Sequence, residues 1–129
     1  MDFLTRNSNI MLEKSMDFLW TKQRAIIDNV TNAETPGYRP KVVTFEETFR
    51  DRLQQAQSAG EDSPRAMRKA LEESRYEVKT HPGITRMDDN GVNITEQNVE
   101  MVRNAFQLQY VMSAINSEFN VLKMAIRGQ

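Results

Sequence analysis

The large apolar side chains of this chain are gathered at its two ends, in residues 10–33 and 94–126, with a polar, charged stretch between them. Within the first stretch Leu12, Met16, Leu19, Gln23, Ile26, Val30 and Ala33 follow alternating steps of four and three. That is the spacing of a coiled-coil seam. Trp20 and Ile27 widen the stripe on one flank. Gln23 is its one polar member, and a polar seam residue sets register at some cost in stability. In the second stretch Ile94, Asn98, Met101, Ala105, Leu108, Met112, Ile115, Phe119, Leu122 and Ile126 keep the same rhythm, with Val102 and Val111 beside the line. The pattern predicts one helix from between Thr5 and Ser8 to about Ala33 and another over residues 94–127. The second would be about 50 Å long at ~1.5 Å per residue. Asn93 is placed to cap it, with Glu96 three residues on, and Gly128 to end it.

These two seams predict a mainly α fold. Long N- and C-terminal helices pack as a coiled-coil-like bundle, with an extended, partly irregular or short-β middle segment. The chain divides into an N-terminal amphipathic helix (1–35), a turn and middle segment (36–93) and a C-terminal amphipathic helix (94–129). In the middle, Lys41 to Phe45 alternates weakly and is β-branched, as a short strand would be, and Phe45 to Leu53 has the spacing of a short helix. Residues 54–75 hold few large apolar side chains and are expected to stay loose in a free chain. Tyr76 to Lys79 alternates again, His81-Pro82-Gly83 reads as a turn, and Asp88-Asp89-Asn90-Gly91 as the turn of a hairpin between 84–87 and 92–94. Antiparallel neighbours in a simple bundle are usually joined by short loops. A connection this long points instead to an assembly protein with a functional insert.

Composition removes several functions. The 17 lysines and arginines balance 18 acids, so the basic field of a nonspecific nucleic-acid binder is missing. With no cysteine, disulfides and thiolate metal sites are excluded. No apolar run reaches the ~20 residues of a membrane span. The first eighteen residues lack a basic start followed by an apolar block, so no cleavable signal peptide is expected. His81 is the single histidine and lies in a turn without a nucleophile or ligand cluster nearby in sequence. Asp88-Asp89-Asn90-Gly91 lacks the alternating oxygens and terminal glutamate of a calcium loop. Glu46-Glu47 and Glu72-Glu73 are sequence neighbours that point in different directions on a helix. Met101 and Met112 belong to the seam, where methionine fills gaps. The expectation is a non-enzymatic protein with no cofactor or metal.

The most specific string is Asn29-Val30-Thr31-Asn32-Ala33-Glu34-Thr35-Pro36-Gly37-Tyr38. Asn29 and Asn32 share a face of the last helical turns. Their amides can satisfy free carbonyls at the helix end and the chain as it turns back. Thr35-Pro36-Gly37-Tyr38 fits a type II turn, with proline second and glycine third. This string resembles the signature of the flagellar rod and hook protein family: two asparagines three apart, then Thr-x-Gly and an aromatic, about thirty residues from the start. Met101-Val102-Arg103-Asn104, Gln109-Tyr110 and Leu122 to Gly128 are similar to the C-terminal end of its proximal-rod members. The Arg-x-Tyr-x-x-Asn ending of other members is not found here.

The resemblance implies a structural rod subunit of the flagellar basal body. Such a subunit is exported unfolded by the flagellar type III apparatus without signal cleavage, and it orders on assembly in the periplasm. It implies partners among other copies of the chain, other rod proteins, the membrane-ring or ring-to-rod junction proteins and, in transit, the export apparatus, with no nucleic acid. The assembly motif would be Asn29, Asn32, Thr35, Pro36, Gly37 and Tyr38. The helix seam would be Leu12, Met16, Leu19, Ile26 and Val30 with Met101, Leu108, Met112, Ile115, Phe119, Leu122 and Ile126. The competing expectation is a cytoplasmic helical adaptor or export chaperone that uses the same amphipathic faces. Such a protein has no need of the asparagine turn.

Overall fold

The computed structural model describes residues 7–45, 51, 54, 64–80 and 91–128. Three helices and a two-stranded sheet are resolved among them in the order α1 (Asn7–Thr31), β1 (Lys41–Thr44), α2 (Pro64–Glu73), β2 (Glu77–Thr80) and α3 (Ile94–Arg127). The fold is mainly α, with the two long terminal helices packed together and a short sheet between them in sequence. The short helix expected over 45–53, the turn at 81–83 and the 84–94 hairpin fall largely on residues outside those described.

α1 and α3 run antiparallel. Leu19 packs with Leu108 and Val111 in the centre of their interface, flanked by Leu12, Met16, Phe18 and Ile115. Toward the other end Gln23 meets Asn104 and Asn29 meets Gln97. α3 has 34 residues against 25 in α1. Its start is level with the end of α1, so its last turns run past Asn7, the first residue of α1. The cap of α3 is as expected. The Asn93 side chain accepts from Thr95 N at 3.1 Å and Glu96 N at 3.4 Å. Gly128 closes the helix at φ 69°, its N–H donating to the Met124 carbonyl.

The inward face of α3 is not the one that hydrophobicity selects. Asn104, Leu108 and Val111 are buried and Ile115 half-buried, whereas Met112, Phe119 and Ile126 are 50, 53 and 76% exposed. Of the seam expected on this helix, Leu108 is buried and Met101, Ile115 and Leu122 are half-buried, whereas Ala105, Met112, Phe119 and Ile126 are exposed. Phe119 lines a groove against α1 with Ile115. One helix covers only a narrow stripe of another, and here Gln97 and Asn104 take inward positions on it.

The middle segment folds back on α1. β1 pairs antiparallel with β2 in the register Lys41↔Thr80, Val42↔Lys79, Val43↔Val78 and Thr44↔Glu77. Val43 and Phe45 are buried, and the Phe45 ring lies 5.5 Å from that of Phe18 on α1. Both strands were legible, but their pairing across more than thirty residues was not. α2 gives residues 64–73, part of the stretch expected to be loose in a free chain, a helical conformation in the fold. Pro64 opens it, which suits a residue without an N–H, and Ala66, Ala70 and Leu71 bury a small-residue face. Lys14 on α1 donates from Nζ to the Glu72 and Ser74 carbonyls at 3.3 and 3.2 Å. It thereby places a cation at the negative end of α2. Ser74, fully buried, donates from Oγ to the Leu71 carbonyl at 2.7 Å. Small apolar residues and a cap from another helix supply what a count of large apolar residues misses.

The two ladders of α3 predict unequal mutants. Leu19→Ala, opposite Leu108 in the core, should lower stability by ~2–5 kcal/mol. Met112→Ala, on the outer ladder, should change it by less than about 0.5 kcal/mol. Urea unfolding of the two variants, followed by circular dichroism, tests this, and equal losses would place the interface elsewhere.

Candidate functional site

The end of α1 is where three parts of the chain meet. Asn29 is 1% exposed. A primary amide has two donors and two acceptor positions, and Asn29 uses all four. Its Nδ2 donates to the Lys41 carbonyl at 2.9 Å and to Gln97 Oε1 at 3.0 Å. Its Oδ1 accepts from Lys41 N at 2.8 Å and from the Tyr38 hydroxyl at 3.2 Å. Taking both backbone groups of Lys41 makes the side chain act like a neighbouring strand, so β1 starts at a fixed height on α1. The bond to Gln97 ties the same point to the first turn of α3.

Asn32 has a more local role. Its Nδ2 donates to the Asp28 carbonyl at 2.9 Å, which also accepts from Asn32 N at 3.0 Å. One of the carbonyls left free at the helix end is thereby satisfied twice. Thr35 Oγ1 donates to Asn32 Oδ1 at 3.3 Å, and Thr35 N to the Asn32 carbonyl at 3.0 Å. The turn follows at once: Tyr38 N donates to the Thr35 carbonyl at 3.2 Å. Gly37 sits at φ 71°, as the third position of a type II turn requires. A Cβ built on Gly37 would meet nothing within 4 Å. Glycine is needed there for its backbone conformation and not for room. Thr35, Pro36 and Gly37 are exposed, and Tyr38 is half-buried over the turn.

Asp28 and Lys41 close the outer side of this junction with a 2.8 Å ion pair. The pair raises the Lys41 ammonium pKa, chiefly through the hydrogen bond to Asp28. Burial raises that of Tyr38, with Lys41 acting against it and Asp28 adding to it. Such a solvent-exposed pair contributes little stability. The fixed geometry comes from Asn29.

A second polar junction lies two turns back. Asn104 is fully buried and donates from Nδ2 to the Leu19 carbonyl at 3.1 Å and to Gln23 Oε1 at 2.7 Å. Lys22 and Glu100 bridge the same helices at 3.0 Å, and the hydrogen bond from Lys22 holds the Glu100 carboxyl below its usual range. Gln23 stands out in sequence as a polar seam member, and Asn104 belongs to the C-terminal string. Their pairing did not stand out. The available signal was the near-equal spacing of the two pairs, six residues from Gln23 to Asn29 and seven from Gln97 to Asn104, along antiparallel helices.

Of the seam positions on α1, Leu19 and Ile26 are buried, and Leu12, Met16 and Val30 half-buried. Among the described residues there is no group of three or more His, Cys, Asp or Glu side chains that could hold a metal ion. Nor is any helix among them long and apolar enough to cross a membrane. The site joins a helix end, a returning strand and a second helix through one side chain.

No family model matches the chain. It is 26% identical over 119 residues to the flagellar basal body rod protein FlgB of Bacillus subtilis (strain 168), a match covering 91% of each chain. The aligned region spans the middle segment as well as the two long helices.

The node predicts a graded response at the turn. Asn29→Ala leaves both Lys41 backbone groups and Gln97 without their partner and should cost on the order of 3 kcal/mol. Gly37→Ala, which meets no neighbour, should cost only the left-handed strain of ~1–2 kcal/mol, and Gly37→Asn clearly less. Chemical denaturation of the three variants measures the order. A Gly37→Asn variant as damaged as Asn29→Ala would mean that the turn, and not the amide, holds the junction.

Proposed function

We propose that this FlgB-like chain is a structural subunit of the flagellar basal-body rod. It assembles with copies of itself and with other rod proteins in the periplasm and carries torque for motility. The observation that supports this reading most is the Asn29 node. It sits inside the string that resembles the rod and hook signature, and it locks the two terminal helices to the middle segment at one angle. A torque-bearing subunit needs such a rigid joint and needs no catalytic group.

The outer face of α3 supports the same reading. Val99, Val102, Phe106 and Tyr110 are exposed on one side of the helix, and Met112, Phe119 and Ile126 on another. Large exposed apolar side chains in this number suit a chain that binds neighbours. Helical assemblies use heterologous contacts that do not close on themselves, and one long helix with apolar residues on more than one side suits them. Export through the flagellar type III route, without signal cleavage, fits terminal helices whose stability comes from packing and not from propensity. In this reading the rod meets the membrane-ring or ring-to-rod junction proteins at its base.

Assembly and export separate at the turn. Asn32→Leu removes the polar bonds that end α1, and Gly37→Val forces a β-branched residue into positive φ. Both should impair rod formation while leaving export intact, because export does not use the folded turn. Secreted subunit is compared with rod-incorporated subunit in strains carrying each variant. Normal rods in both would reduce the motif to a helix stop.

A further inference from the structure

The N-terminal half of α1 and the C-terminal half of α3 leave a groove of about 670 Å³ between them. Its floor is apolar, formed by Leu12, Met16, Trp20, Ile115 and Phe119, and its rim carries Glu13, Asp17 and Glu118. Among the described residues the one cation on the rim, Lys14, has its ammonium engaged with the carbonyls at the end of α2. An occupant therefore has to be apolar and basic.

The chain contains such a segment. Beyond Glu118, α3 holds Lys123 and Arg127 and no acid. Val121, Met124 and Ile126 are exposed there. Lys123 and Arg127 are four apart and share one face, with Ile126 on one flank and Met124 on the other at 100° per residue. These are the turns that run past Asn7, so α1 does not cover them. They cannot fill the groove of their own molecule, because Ile115 and Arg127 belong to one unbroken helix. The tail can only reach the groove of another copy.

We infer that the acidic-rimmed groove between α1 and α3 receives the C-terminal turns of α3 from a second copy of this chain. Met124 enters the apolar floor together with Val121, about 60° from it around the helix. Lys123 and Arg127 lay their stems along it and bring their charges to Glu13, Asp17 and Glu118. Groove and tail are different surfaces that lie side by side at the same end of the molecule, so each contact joins unlike surfaces of two copies. The inference rests on the reading of the chain as an assembling rod subunit and names one contact by which copies would join.

The chain has no cysteine, so introduced thiols report on single contacts. Copies carrying Asp17→Cys are co-expressed with copies carrying Arg127→Cys, and basal bodies are isolated and oxidised. A disulfide-linked dimer is expected from the mixture and not from either variant with wild type. Wild-type chain absent from basal bodies overturns the rod reading and the contact together. Wild-type chain present, with no dimer from the mixture, overturns the contact alone and leaves the groove to another occupant. Charge reversal guards against a thiol variant that fails to assemble. Lys123→Glu with Arg127→Glu should cut incorporation about tenfold. Adding Glu13→Lys and Asp17→Lys should restore most of it. Incorporation that is unaffected by the first pair, or not restored by the second, overturns the contact.

Discussion

The way the chain leaves α1, lays β1 against it and meets the start of α3 depends on one buried amide. Asn29 makes four hydrogen bonds to three partners: the backbone of Lys41, the Tyr38 hydroxyl and the Gln97 side chain. A polar group buried without partners costs more than a net hydrogen bond returns. The chain therefore has to leave α1 at the angle that satisfies all four positions. The type II turn at Thr35 to Tyr38 makes the exit possible, and the amide selects it. Once Lys41 is fixed, Val43 and Phe45 fall onto α1, β2 has an edge to pair with, and the start of α3 is set.

The same economy governs the α1–α3 interface. Its apolar centre of Leu19, Leu108 and Val111 is small, and nonpolar packing alone would allow α3 to rotate or slide. The junctions of Asn29 with Gln97 and Gln23 with Asn104 exclude those alternatives, since a one-residue rotation would bury unpaired amides. Register is thus taken over by polar pairs, and Met112 is left exposed beside the interface.

The sequence carried the two helices, both caps of α3, both strands and the geometry of the turn almost in full. Those features are local: Asn93 and Gly128 act within one turn, and Pro36-Gly37 within four residues. What escaped were the relations between distant segments. The strand pairing of Lys41 with Thr80 leaves no local mark. The inward place of Asn104 was not read, because Met112 outranks it in apolarity and only the partner helix shows that Asn104 is the inward group. α2 was missed because Ala66, Ala70 and Leu71 are too small a face to weigh without the Lys14 cap. At the site, the string that contains Asn29 and Asn32 was visible. The division of labour between an amide that reaches across the fold and one that ends its own helix was not.

The central claim is that Asn29 sets the exit angle of the chain by holding Lys41. The amide proton of Lys41 reports on it directly, because its acceptor is the Asn29 side chain at 2.8 Å. Hydrogen exchange at that amide should be as slow as at the buried turns of α1. In an Asn29→Leu variant it should become fast while the amides of α3 around Leu108 stay protected. A Lys41 amide that exchanges rapidly in the unaltered chain, or one that stays equally protected without Asn29, would contradict the account.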